Sequence, residues 1–272
     1  MCANRGEEVS VIIRVRDEAT TIVSCLELLH AQQPGERALE VIVVDCGSRD
    51  GTGELAAAHG ARVLELAPGR FSFGRALNLG AANAAGELLV ALSGHALPPD
   101  EGWIARLLEP FGDRRVACAS GDRYDPEGAI LTERVVQDAA LARRRPEWGY
   151  SNAAGAFRAS LWRRRPFRDD LPGCEDKEWA WYWLRRGYLC VIDPSLATRH
   201  DHTHDPLTAI FRRARREAAA YGSFLELAPY GARELARDWW CDLRWYRSAA
   251  RARLSPRRAA RLLGAYAGRR GR

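Results

Sequence analysis

The strongest constraint on this chain is a regular alternation of apolar runs with helix-spaced apolar positions over its first 66 residues. Residues 9–15 contain the β-branched run Val11-Ile12-Ile13 and read as a buried strand. Asp17 stands where it would cap a following helix, in which Ile22, Cys25, Leu26 and Leu29 recur at helical spacing. A second apolar run covers 39–44, a helix is expected over 52–59, and a short strand over 62–66. Strand, helix, strand, helix, strand predicts a parallel sheet, because parallel neighbours need a long crossover that a helix supplies. The pattern continues with helices expected over 75–85, 100–111, 132–144 and 175–186, and strands over 88–92 and 189–192. After Asp205 it turns helical throughout, punctuated by Pro206, Pro229 and Pro256. The expected division is an α/β domain over 1–222 and a helical, basic extension over 223–272.

Composition narrows the class. A hydrophobic content of 47% with nine Trp argues for a packed globule and against disorder. No apolar run approaches the roughly 20 residues needed to span a bilayer. The polar start, 1–8, lacks the apolar stretch of a secretory signal, so a cytoplasmic setting is expected. The seven cysteines are scattered, without a CxxC pair, which suits neither a disulfide framework nor a thiolate zinc site. Lys177 is the single lysine among 41 basic residues, an arginine bias that points to genome composition. From Asp205 onward sixteen Arg face six Asp and Glu. That tail reads first as a solvated helix face. It also suits peripheral contact with the inner face of a membrane, Trp239, Trp240, Trp245 and Tyr246 lying among its arginines.

In open α/β sheets ligands bind outside the carboxyl ends of the strands. Two polar turns sit at such ends: Asp45-Cys46-Gly47-Ser48-Arg49-Asp50-Gly51-Thr52, and Ser93-Gly94-His95. The first can offer backbone N–H groups and a carboxylate to a nucleoside, although the same residues also simply make turns. Phe71-Ser72-Phe73-Gly74-Arg75-Ala76-Leu77-Asn78 places Arg75 near a helix start, where its guanidinium could meet a diphosphate or lie in solvent. His95 is either a hydrogen-bonded structural imidazole or a metal ligand. Glu175 and Asp176 open a helix, where the macrodipole favours carboxylates and would keep Asp176 ionised as a general base requires. His200, His202 and His204, if extended, share one face, a spacing that permits metal ligation.

Taken in order, these segments resemble family-2 glycosyltransferases. Val9-Ser10-Val11-Ile12-Ile13 with Asp17-Glu18 is similar to that family's opening strand and Asn-Glu turn. Val43 to Thr52 resembles its VVDDGSTDGT nucleotide loop, Leu92 to Pro98 falls where it carries a DxD turn, and Glu175-Asp176 matches its ED motif. The 200–204 segment resembles a late histidine region of bacterial rhamnosyltransferase-like members. The resemblance covers roughly 9–222. It implies a GT-A fold, with a Rossmann-like, mostly parallel sheet flanked by helices and followed by a helical C-terminal extension. It also implies a nucleotide-sugar donor, a divalent metal (Mn2+ or Mg2+), and inversion at the anomeric carbon. Three departures stand out: Cys46 replaces the second acid of the nucleotide loop, Ser93 and His95 replace both Asp of DxD, and Arg14 stands where many members have Pro.

On this reading Asp176 is the base and Glu175 orients the acceptor. Asp45, Ser48, Arg75, Asn78 and Ser93 bind the donor, and His95 with His204 or His202 binds the metal. The acceptor would be a glycan, a lipid-linked molecule or a small molecule, with no nucleic acid as partner. Two other readings stay open. A sugar nucleotidyltransferase should carry a Gly-rich phosphate loop after its first strand, where Arg14-Val15-Arg16-Asp17-Glu18 has no Gly. A non-catalytic nucleotide- or glycan-binding domain would fit the altered DxD but not the intact Glu175-Asp176.

Overall fold

The computed structural model describes residues 8–35, 37–199, 205–241 and 248–270. They form two compact units, one from the described residues of 1–125, 130–169 and 175–201, the other from those of 126–129, 170–174 and 202–272.

The first unit is built on an eight-stranded sheet. Its strands are β1 (Glu8–Val15), β2 (Ala38–Asp45), β3 (Arg62–Glu65), β4 (Leu88–Ser93), β5 (Val116–Ser120), β6 (Val135–Gln137), β7 (Ala154–Arg158) and β8 (Leu189–Ile192), in the order β3-β2-β1-β4-β7-β5-β8-β6. Strands β3, β2, β1 and β4 run parallel, as the alternation predicts. β7 lies antiparallel between β4 and β5, β8 is parallel to β5, and β6 closes the edge antiparallel to β8. The register sets Arg14 beside Val44 on one side and Ser93 on the other, and Val15 beside Asp45. Three strands therefore end on one rim.

Period two divides the strand residues between two cores. Val9, Val11, Ile13 and Val15 pack with Ile22, Cys25, Leu26 and Leu29 of helix α1 (Ile22–His30), with Ala56 of α2 (Thr52–Ala58), and with Trp103 and Leu107 of α4 (Trp103–Leu108). Ile12, Ile42, Val44 and Ala91 face the other way. They join Leu77 and Ala81 of α3 (Phe73–Asn83) and Trp179 and Trp183 of α7 (Glu175–Leu184). Arg14 falls on this second face with Ile12, which directs it toward α3 and α7. Around Trp179 the rings of Tyr150, Phe157, Phe167 and Trp183 meet at tilted or edge-on angles, with centroids 5.5–6.4 Å away, the geometry aromatic quadrupoles favour.

Local expectations met three corrections. Asp17 does not cap α1: its carboxylate accepts from Arg49 N, and the cap position is Thr21, whose side chain makes no capping bond. The stretch 132–144 is a strand followed by a short helix, α5 (Ala139–Arg144), since Val135 and Val136 pair with β8 and Asp138 caps the helix by accepting from Leu141 N. β5 and β7 are strands that the sequence pattern does not predict. The described cysteines are free thiols, and Cys25, Cys46, Cys118 and Cys190 are buried.

The second unit holds α8 (Leu207–Tyr221), α9 (Ala232–Cys241), α10 (Ala249–Leu254) and α11 (Pro256–Arg269). α8 and α11 approach closely because Gly264 and Gly268 of α11 lie against the backbone of α8 beside Ala214 and Ala218. A methyl on Gly264 would lie 2.4 Å from Phe211 O, and one on Gly268 2.2 Å from Arg215 O. No described helix is long and apolar enough to cross a membrane.

Where α3 begins, Ser72 caps it by accepting from Arg75 N, and Gly74 lets the helix rest on the backbone of 168–169. A Cβ at Gly74 would lie 2.2 Å from Arg168 O, a backbone atom with little room to move. Gly74→Ala should therefore cost about 1–3 kcal/mol of stability through overpacking. Urea unfolding should show a lower midpoint at unchanged slope, and an unchanged midpoint would contradict this packing.

Candidate functional site

The rim at the carboxyl ends of β1, β2 and β4 is made of two interlocked turns and a third beside them. In the turn after β2, Asp45 Oδ1 accepts from the N–H groups of Gly47 (3.0 Å) and Ser48 (2.8 Å). The turn after β1 is stitched to it. Asp17 N donates to Ser48 Oγ, Arg49 N to Asp17 Oδ1, Ala19 N to Asp50 Oδ2, and Glu18 N to Thr52 Oγ1. This lacing holds Asp17 in the left-handed region, φ 55°, a conformation that Asp tolerates better than most residues. Asp45 and Ser48 are thus fixed in place, and the Ser48 hydroxyl keeps its proton to donate. Cys46 points inward instead, buried in the core with Val44, and burial pushes its thiol up to about 11. The second acid of the resembled loop is therefore replaced by a neutral core residue.

Ser93-Gly94-His95 follows β4. Gly94 N donates to Arg14 O, and Ser93 N to Ala153 O. His95 Nδ1 lies 2.7 Å from Glu18 Oε1 and 3.2 Å from Ser93 Oγ, while Thr21 Oγ1 donates to Glu18 Oε2. An imidazole backed by a carboxylate at Nδ1 is the arrangement that orients Nε2 toward a metal. Among the described residues no group of three His, Cys, Asp or Glu is placed to hold an ion. The residues nevertheless fit a divalent ion held jointly with donor phosphates, since nucleotide-site cations need only one or two protein groups. Nitrogen ligation favours Mn2+ over Mg2+. His200, His202 and His204 lie outside the described residues.

The acidic pair reaches the same rim. α7 starts at Glu175, and Asp176, half-buried, accepts from Asn152 N at 3.1 Å and from Lys177 N at 2.7 Å. Asn152 precedes β7, and the next residue, Ala153, holds Ser93 through its carbonyl. One dipeptide therefore ties Asp176 to the 93–95 turn. Glu175 is 4% exposed. Its Oε1 accepts from Asn152 Nδ2 at 3.4 Å and lies 3.6 Å from Arg14 Nη1. Burial first, and the neighbouring Asp176 second, push its carboxyl up to about 7, while Arg14 pulls the other way. So buried a carboxyl meets Asn152 and Arg14 instead of open surface, whereas the sequence reading sets Glu175 against the acceptor.

Two expected donor ligands are otherwise engaged. Arg75 donates to Asp169 Oδ2 from Nε (3.2 Å) and Nη2 (3.0 Å), and to Arg70 O. Asn78 has its amide committed to packing: Nδ2 donates to Phe167 O, and Oδ1 accepts from Trp162 Nε1 and Phe167 N. A donor contact there would break bonds that hold α3 to the 162–167 segment, so Asn78 is a structural clamp. The sequence reading passed over Arg14, Glu18 and Asn152. Glu18 carried a signal, as the acid of the Asn-Glu-like turn. Arg14 carried two faint signals, a charge near the end of an apolar run and a departure from the family's Pro, and Asn152 none.

A mostly parallel sheet with an antiparallel insert, a laced acidic loop after β2 and an acidic pair at the same rim define the GT-A class of glycosyltransferase fold. The chain belongs to glycosyl transferase family 2, whose model matches residues 10–171. It is 33% identical over 134 residues to glycosyltransferase AglE of Haloferax volcanii, a match spanning 46% of this chain and 43% of that protein. A mannosyltransferase from Pyrobaculum calidifontis, solved with GDP-Man and Mn2+, superposes with TM-score 0.68 at 20% identity, covering 95% of this chain and 84% of that one. Glucosyl-3-phosphoglycerate synthase from Mycobacterium tuberculosis, solved with Mn2+, UDP and glucosyl-3-phosphoglycerate, gives TM-score 0.62 at 22% identity over 83% and 82% of the two chains. At these identities the two structures establish the fold.

The Glu175 carboxyl yields a signed expectation. The folded state holds its proton more tightly than the unfolded chain, so its stabilisation is full below about 4.5 and is lost as pH rises through about 7. Glu175→Gln removes that loss, and the variant's Tm should gain on the parent's between about pH 5 and about pH 8. A Tm difference flat across that window would contradict the buried ionisation.

Proposed function

We propose that this chain transfers a sugar from a nucleotide-sugar donor to an acceptor hydroxyl by single displacement, with inversion at the anomeric carbon. The observation that carries the reading is the convergence on one rim of the Asp45 loop, the Ser93–His95 turn and Asp176, the last two joined through Asn152-Ala153. Membership of glycosyl transferase family 2 supports it, as do a mannosyltransferase solved with GDP-Man and a synthase solved with UDP on the same fold.

In this mechanism Asp176 removes the acceptor proton while the acceptor oxygen forms its bond to C1 and the bond from C1 to the diphosphate oxygen breaks. The diphosphate leaves with the electron pair. Asp176 is oriented for this by two backbone donors, Asn152 N and Lys177 N. Asp45 and Ser48 hold the nucleoside, and Ser93 lies beside the diphosphate. Arg75 contributes there only by exchanging Asp169 for phosphate. His95, backed by Glu18, would hold a divalent ion, which supplies positive charge to the leaving diphosphate when bound. His204 or His202 would complete its ligands. The inward thiol of Cys46 supplies no acidic contact to a donor base, which leaves the identity of that base open.

Residues 1–222 would form the catalytic domain and 223–272 a basic extension for acceptor or peripheral membrane contact, with a glycan, lipid-linked or small-molecule acceptor. The late histidines support reading the chain as a rhamnosyltransferase-like member of the family. A non-catalytic binding domain is favoured by one feature, the loss of both DxD acids; slow release of nucleoside diphosphate without acceptor would exclude it.

Asp176→Asn should lower kcat by roughly 10² to 10⁴ while calorimetry still detects donor binding. Near-parental turnover would refute the base. A thermal-shift panel of UDP-, GDP-, dTDP- and CDP-sugars should single out one donor, by mass action on the folded state. Mn2+ should enlarge that shift in the parent and leave it unchanged in His95→Ala; equal enlargement in both would remove His95 from the ion's ligands.

A further inference from the structure

We propose that Arg14 is a positioning residue for the acidic pair, its guanidinium fixing Glu175 and the Asn152 loop so that Asp176 is held at the working end of the site. The inference rests on the reading of Asp176 as the base. The position is unusual. Arg14 sits next to the end of β1, between Ile13 and Val15 in an apolar run that begins at Val11, and only 13% of its side chain is exposed.

Its contacts account for such a costly location. The guanidinium carbon lies 5.3 Å from the centroid of the Phe73 ring, a cation–π contact supplied by the start of α3. Nη2 donates to Asn152 O at 3.1 Å, and Nη1 lies 3.6 Å from Glu175 Oε1. Asn152 then donates its backbone N–H to Asp176 and its side-chain amide to Glu175. Arg14 thus touches both parts that hold Asp176: the loop that donates to it and the helix residue before it. Arg14 Nε and Nη1 are buried and make no hydrogen bond among the described residues. Its action on Glu175 is consequently one of charge at short range, in a site where low dielectric strengthens it. Without it two adjacent carboxyls would face each other with no cation at contact, and the pair would hold its proton more tightly than it does.

The other titratable groups around the pair do not replace it. Lys177, on the same turn of α7, donates Nζ to Gly149 O. Tyr150 and Cys118, from the loop before β7 and from β5, are fully buried, and burial pushes both far up, so they stay neutral. Asn152 is uncharged. Among the described residues Arg14 is the cation that meets Glu175.

The test compares Arg14→Gln, Arg14→Lys, Glu175→Gln and the Arg14→Gln/Glu175→Gln double variant, each checked for folding by near-UV circular dichroism. Donor KM, kcat and the pH profile of kcat are measured. Arg14→Gln should lower kcat roughly tenfold or more through misplacement of the base, with donor KM little changed. The acid limb of kcat should move up by about one pH unit as the pair holds its proton more tightly. Arg14→Lys, which keeps the charge and loses the fork, should return the acid limb to its parental position. The double variant should be no slower than the slower single one, because Arg14 acts through Glu175. A purely structural Arg14 would reduce melting temperature and leave the acid limb in place, which overturns the proposal. A rise confined to donor KM overturns it too, making Arg14 a donor ligand. If Arg14→Gln does not fold, a displaced acid limb in Arg14→Lys overturns it. The two readings fail separately: active Asp176→Asn defeats the base, whereas inactive Asp176→Asn beside an unaltered Arg14→Gln defeats only the role of Arg14.

Discussion

Parallel strands deliver their carboxyl ends to the same edge of a sheet, and this geometric fact organises the whole site. β1, β2 and β4 are neighbours in register, so the turns after residues 15, 45 and 93 emerge side by side. β7 runs the other way next to β4, so its beginning, not its end, reaches that edge. Asn152 and Ala153 stand at that beginning and join the 93–95 turn to α7. A one-residue slip of β1 would send Arg14 to the opposite face and put Ile13 or Val15 in its place.

Charge is handled economically at this rim. Acidic residues that the family pattern would place in the nucleotide loop and the DxD turn are absent, and their positions hold a buried thiol, a hydroxyl and an imidazole. The imidazole recruits Glu18 from the turn after β1, so a carboxylate still stands close to the turn, though it comes from another strand end. Deeper in, the acidic pair is offset by one arginine that reaches it from the sheet. The offset is partial: burial and Asp176 still push the Glu175 carboxyl up to about 7 against the pull of Arg14.

Much of the first half of the fold was readable directly. β1, β2 and β4 are rich in Val, Ile and Leu, and α1 carries its apolar residues at helical spacing, so periodicity alone identified them. β5 and β7 escaped because Val-Ala-Cys-Ala-Ser and Ala-Gly-Ala-Phe-Arg have little β-branched content and no alternation. Small residues suit a strand flanked on both sides and buried on both faces, a demand that only the neighbours impose. The stretch 132–144 misled in the opposite sense. Its Ala- and Arg-rich second half is helical, whereas its valines take the edge place beside β8.

The sequence by itself determined the fold class, the family resemblance and the loops that form the rim, because hydrophobic period and turn chemistry are local properties. It also marked Asp45, His95 and the Glu175-Asp176 pair as residues of chemical interest. Only the tertiary structure decided what those groups touch: that Glu175 is buried against Arg14, that Asn78 bonds Trp162 and Phe167, that Arg75 is paired with Asp169, and that Glu18 meets His95. Glu175 lies 161 positions along the chain from Arg14, and His95 lies 77 from Glu18. Such pairings come from sheet order and register, which no local pattern in the chain encodes.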